Sequence, residues 1–141
     1  MIRRLVSGVV FFALILVSCR KDEGSIPYVY VDFYVSVADP NFSALNAVGG
    51  WVYVTGGSKG IILYRKDVNE MMAFDRHCPW DPNASCSRIE VQSSGLLGED
   101  LCCNSVYLMT DGTPSSGPGT AGQALLKYQT TFDGITIHVF N

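Results

Sequence analysis

The ten residues YVYVDFYVSV, Tyr28 to Val37, constrain the fold more than any other stretch of the chain. Val29, Val31, Phe33, Val35 and Val37 occupy one set of alternate positions, and Tyr28, Tyr30, Asp32, Tyr34 and Ser36 the other. A helix would scatter these residues around its circumference, whereas a strand gathers each set on one face. Period two over ten residues therefore predicts a half-buried β-strand. The tyrosine face is expected to pack against a second sheet or a loop more often than to form a binding surface. Trp51 to Thr55 and Ile61 to Arg65 flank GGSKG and read as a hairpin; Met71 to Phe74 gives a further short strand. Ala124 to Phe132 and Ile135 to Phe140 are joined by Asp133-Gly134, a frequent hairpin dipeptide. No long segment carries the 3.6-residue apolar period, so the prediction is an all-β fold.

The middle of the chain has another character. From His77 to Met109, short apolar pieces (Ile89 to Val91, Leu96-Leu97, Val106 to Met109) are divided by loops carrying Cys78, Cys86, Cys102 and Cys103. The run TDGTPSSGPGTAGQ that follows is rich in turn residues and offers almost nothing to bury. A cysteine-bearing insertion thus separates the earlier strands from the later ones.

The N-terminus sets the compartment. Arg3 and Arg4 precede an apolar run, Val9 to Val17, too short for a comfortable membrane span. The run ends at Leu16-Val17-Ser18-Cys19, which resembles a bacterial lipobox: a branched residue, an apolar one, a small one, then the cysteine that accepts the diacylglyceryl group. The resemblance implies that residues 1–18 are a leader and that Cys19 is the lipidated first residue of the mature chain. Lys21-Asp22-Glu23 resembles the lysine-plus-acidic signal that sends some Bacteroidetes-type lipoproteins to the outer face of the outer membrane. The expected location is therefore the cell envelope, at the outer membrane, with the membrane as partner through the lipid. Residues 19–27 read as a tether and 28–141 as one domain. Loss of residues 1–18 removes Arg3 and Arg4 and takes the net charge from −3 to −5. An acidic domain without a basic cluster excludes nucleic acid as an expected partner; no protein partner can be named.

The order of features across residues 50–140 resembles a Rieske domain. The matching pieces are GGSKGIILYR, MAFDRHCPW, LCCNSVYLMTDG, SSGPG and LLKYQTTFDGITIHV. The resemblance implies an antiparallel β-sandwich with a small cluster-binding subdomain, here about residues 76–110. In such domains two cysteines and two histidines hold a [2Fe–2S] cluster, from a Cys-x-His loop and a Cys-x-x-His loop. Carried onto this chain, Cys78 takes the first cysteine slot, and Trp80, whose indole has no lone pair for a metal, takes the first histidine slot. Anchoring the second loop on Tyr107 and Gly112 puts Asp100 in the cysteine slot and Cys103 in the histidine slot. A shift of two residues puts Cys102 and Ser105 there instead. Neither register supplies a histidine, so a standard two-histidine cluster is not expected.

Read by themselves, Cys78, Cys86, Cys102 and Cys103 leave two accounts open. They could hold zinc or iron, although an eight-residue step and an adjacent pair fit metal spacing poorly. They could instead form one or two disulfides, the favoured account, with Cys78 or Cys86 bridged to the Cys102/Cys103 pair. His77 and His138 are expected to be bland, and Asp75, Asp81, Glu99 and Asp100 to be solvated. No Ser-His-Asp or Cys-His catalytic pair follows from spacing, and GGSKG lacks the helix that a phosphate loop needs. The expected function is a non-catalytic structural or interaction module without a cofactor; the alternative is an electron-transfer or metal-binding protein using a [2Fe–2S] cluster or zinc.

Overall fold

A computed structural model describes residues 24–141; the expected leader over 1–18, Cys19 and the Lys21-Asp22-Glu23 motif lie outside the described residues. The fold is all-β and antiparallel, with two sheets. The alternating N-terminal stretch supplies β1 (Asp32–Ser36), which pairs with the last strand, β10 (Thr136–Phe140). Val31, Val35 and Val37 are buried, as the alternation requires. The ladder is shorter than ten residues because the β10 register runs out at Phe140, opposite Asp32. Tyr28, Tyr30 and Tyr34 stay 77%, 69% and 67% exposed, so among the described residues no sheet or loop covers the tyrosine face. Tyr34 instead stacks on His138 at 4.1 Å.

After β1 the chain makes a 3₁₀ segment, Pro40–Asn46, capped by Asp39, whose carboxylate accepts the Asn41 N–H. This polar-looking connection contributes Leu45, fully buried, to the core. The GGSKG hairpin joins β2 (Trp51–Val54) and β3 (Ile61–Asp67), and β3 turns into β4 (Glu70–Asp75). β9 (Lys127–Phe132) pairs with both β4 and β10, giving the order β1-β10-β9-β4-β3-β2.

β3 and β4 are apolar at consecutive positions because both of their faces are covered. Ile61, Leu63, Met71 and Ala73 point into a first core with Val31, Val35, Leu45, Tyr128, Ile137 and Val139, around which the six-stranded sheet curls. Ile62, Tyr64, Met72 and Phe74 point the other way into a second core with Cys78, Ile89, Tyr107, Met109 and Leu125. Two-sided burial replaces period two with a continuous apolar run.

The second core is closed by a four-stranded sheet, β5 (Ile89–Val91), β6 (Leu97–Asp100), β7 (Ser105–Leu108) and β8 (Pro114–Ser116), inserted between β4 and β9. Here the sequence reading fell short, since β8 and a second 3₁₀ turn, Pro118–Ala121, form within the run read only as turns. Arg76 pins the two sheets together. Its guanidinium lies 3.6 Å over the Tyr53 ring and pairs with Glu90 at 2.6 Å, while Nε donates to the Ile89 carbonyl.

Candidate functional site

Three loops meet at the end of the second core: 77–88 after β4, 101–104 between β6 and β7, and 117–122 after β8. Each cysteine finds a definite place there. Cys86 and Cys102 form a disulfide, with Cα atoms 5.7 Å apart. Cys78, fully buried, and Cys103, partly exposed, are free thiols whose sulfurs lie 4.0 Å apart. The adjacent Cys102 and Cys103 therefore serve different partners. Cys102 reaches Cys86 and Cys103 faces Cys78 from a tight turn, in which Asn104, with a positive φ of 59°, leads the chain into β7.

The third member of the group is Asp100. It ends β6 and is fully buried, contrary to the expectation of a solvated loop acid. Its Oδ1 accepts the Cys102 N–H at 2.7 Å; among the described residues no N–H or O–H group donates to its Oδ2, and the carboxylate neighbours the Cys78 thiol. One ligand atom each from Cys78, Asp100 and Cys103 falls within 4.8 Å of the others. Asp75, expected to be solvated, is buried too. Its carboxylate accepts the Ser58 N–H at 2.6 Å, the His77 N–H at 2.8 Å, the Tyr128 hydroxyl at 2.7 Å and, at 3.3 Å, the Lys59 N–H.

Hydroxyl groups surround the sulfurs. The Tyr107 hydroxyl lies 3.5 Å from Cys78 Sγ, and the Cys103 thiol donates to Ser105 Oγ at 3.0 Å. Ser105 Oγ also accepts the Gly119 N–H at 2.9 Å. Gly119 allows this approach: a Cβ there would come within 2.8 Å of the Tyr107 hydroxyl and 2.9 Å of Ser105 Cβ. Burial, opposed by donors from Tyr107 and the Trp80 backbone and aided by the hydrogen bond to the Asp100 carboxylate and its charge, pushes the Cys78 thiol up to about 12. Burial likewise raises the Tyr107 hydroxyl above its ordinary value, and the neighbouring Cys78 and Cys103 add to the shift.

The histidines stand apart from this group. The ring nitrogens of His77 lie 2.8 Å from Ser58 Oγ and 2.7 Å from the Pro82 carbonyl. His138 pairs with Asp32 at 2.8 Å and stacks between Tyr34 and Phe140. Trp80 packs against the second core, with Gly122 close to its ring. The donors present thus do not fit a two-histidine [2Fe–2S] cluster. They are two sulfurs and a carboxylate where such a cluster takes four ligands, two of them imidazoles. The four cysteines do not converge as one set either, because the disulfide withdraws Cys86 and Cys102.

Sequence reading missed the support for the site. Lys59, in the hairpin loop, sends its ammonium to the carbonyls of Ala84 (3.0 Å) and Ser87 (2.6 Å), holding the loop that carries Cys86. Nothing local to GGSKG marks a contact 25 or more residues away. Asp75 left one usable signal, an acid directly after an apolar strand buried on both faces. No protein-family model matches this chain, and no curated protein shows significant similarity to it.

Proposed function

We propose that this is an envelope lipoprotein anchored at the outer membrane through Cys19, whose domain is Rieske-like but carries no [2Fe–2S] cluster and acts as a non-catalytic structural or interaction module. The observation that carries this reading is the ligand set where the loops meet: Cys78, Asp100 and Cys103, with both histidine rings engaged elsewhere. The Rieske-like part draws support from the small sheet inserted between β4 and β9 and from the register anchored on Tyr107 and Gly112. That register assigns Asp100 and Cys103 to ligand slots, and these are the two residues that approach Cys78. In the shifted register the slots fall on Cys102, which is bonded to Cys86, and on Ser105, which binds Cys103 and Gly119. Three donors with no imidazole cannot supply the two cysteine and two histidine terminal ligands that hold the family's cluster, so electron transfer by such a cluster is disfavoured. The support for the anchor is the Leu16-Val17-Ser18-Cys19 motif and the short basic and apolar leader before it.

The test has two arms. Cells expressing the chain are fed a clickable fatty acid; label is expected on the wild type and absent from Cys19→Ala. Purified protein is then reconstituted with iron and sulfide, and neither the wild type nor Trp80→His is expected to give a Rieske absorption spectrum, since the second loop still lacks its imidazole. Label on Cys19→Ala would remove the anchor, and a Rieske spectrum would remove the cluster-free reading.

A further inference from the structure

We propose that Cys78, Asp100 and Cys103 form a binding site for a single thiophilic divalent cation of the zinc class. The inference depends neither on the lipid anchor nor on the family likeness. It begins from spacing. An ion bound tetrahedrally with metal–sulfur bonds of about 2.3 Å holds two sulfurs roughly 3.8 Å apart; Cys78 and Cys103 stand at 4.0 Å, with a carboxylate oxygen within 4.8 Å of both. Small side-chain rotations bring all three onto one ion.

The second observation is Asp100 Oδ2, a fully buried oxygen that no N–H or O–H donor among the described residues reaches, on a carboxylate whose neighbour is the Cys78 thiol. A buried polar atom left unsatisfied is costly, and a buried carboxylate is ordinarily paired or bound to a metal. Asp75 is equally buried, yet backbone N–H groups and the Tyr128 hydroxyl satisfy both of its oxygens. The fold thus completes the shell of one buried acid and leaves the other turned toward two thiols.

Hydrogen-bond donors stand beside both sulfurs. Tyr107 places a hydroxyl beside Cys78 and Ser105 one beside Cys103, and the Trp80 backbone N–H is directed at the Cys78 sulfur. When the metal displaces the thiol protons, the Tyr107 hydroxyl can donate to the Cys78 sulfur and the Ser105 hydroxyl to the Cys103 sulfur. Hydrogen bonds of this kind orient metal ligands and tune them. Binding exchanges two thiol protons for one M²⁺; with the carboxylate this leaves a site of net charge −1. Cys103 is partly exposed, so the ion has a path from solvent and a fourth position remains for water, as in three-ligand zinc sites.

Full-length protein purified in detergent, chelator-stripped and with its disulfide intact, is titrated with Co²⁺ under anaerobic conditions. The expected result is a sulfur-to-cobalt charge-transfer band with tetrahedral ligand-field bands, saturating at one equivalent and abolished by Zn²⁺. Cys103→Ser should weaken binding at least 100-fold and cut the charge-transfer intensity by about half, one of two thiolates being lost. Asp100→Asn keeps an oxygen to accept the Cys102 N–H and should weaken binding about 10- to 100-fold. Circular dichroism shows whether each variant keeps the β fold. Absence of the bands in the wild type would overturn the proposal. So would bands unchanged in folded Cys103→Ser and Asp100→Asn, which place cobalt elsewhere, or a Cys78–Cys103 bridge in the isolated protein.

Discussion

Cys78 and Cys103 bring their sulfurs to 4.0 Å across 25 residues of sequence, while Cys102, the neighbour of Cys103, is bonded to Cys86 on the other side of the loop. One pair clips the loops together and the other stays reduced in their shared interior. Thiol counting on metal-free protein should reflect this. In denaturant, two thiols per domain are expected to react among Cys78, Cys86, Cys102 and Cys103. In native protein at pH 8, Cys103 should react quickly. Cys78 should stay protected, because it is fully buried and its thiol, pushed up to about 12, is ionised in only about one molecule in ten thousand. Four reactive thiols in denaturant, or equal native rates, would contradict this arrangement.

The Cys86–Cys102 bridge closes a loop with a sequence separation of 16. In the chain-entropy model, removing such a cross-link costs about 3 kcal/mol. The double variant Cys86→Ser/Cys102→Ser should unfold at lower urea concentration by that equivalent, and reductant should lower the wild type to the same midpoint. A wild-type midpoint indifferent to reductant would mean that the bridge contributes nothing.

Asp75 is the fixed point of the GGSKG hairpin, since its carboxylate holds backbone N–H groups of Ser58, Lys59 and His77 together with the Tyr128 hydroxyl. Tyr128→Phe removes one donor and is expected to cost about 1–2 kcal/mol; Asp75→Ala strands several buried donors and should cost about 3 kcal/mol or more. A double-mutant cycle by urea denaturation gives the coupling, which should be clearly non-zero because the groups touch. Additive losses would show that the 2.7 Å contact carries no energy.

Two turn acids predict the behaviour of the domain in acid. Asp133 accepts the backbone N–H groups of Thr136 and Ile135, and Asp111 that of Thr113; these bonds hold both carboxyls below the ordinary 3.8. Because the folded values are depressed, the stabilisation is complete above the unfolded value and is lost as pH falls through the folded one. Urea midpoints should stay level from pH 7 to about 5 and drop below about pH 4. In Asp133→Asn the drop should be shallower, and an unchanged acid limb would exclude Asp133 as a contributor.

How much was legible in advance differed from residue to residue. The inward set Val31, Val35 and Val37, the hairpins at GGSKG and Asp133-Gly134, and the all-β class could all be read from the chain. Each depends on relations within about ten residues: an alternation, a turn dipeptide, an apolar run. Leu45 and the short β8 escaped, because polar and turn residues outnumber the buried ones around them. The tyrosine face was legible as a face, but whether anything covers it depends on where other strands end.

The sequence by itself determined that Trp80, not a histidine, stands two residues after Cys78, that no histidine lies between His77 and His138, and that four cysteines sit in two loops. Residue identity sets what a side chain can donate, and no fold changes that. Only the tertiary structure decided which cysteines pair, that Asp100 is buried beside the Cys78 thiol, and that Lys59 and Asp75 hold the loops in place. The physical reason is that periodicity reports which way a side chain points, whereas pairing and burial depend on which distant segment packs opposite it. At this site those segments are three loops drawn from separate parts of residues 77–122, brought together by the second core.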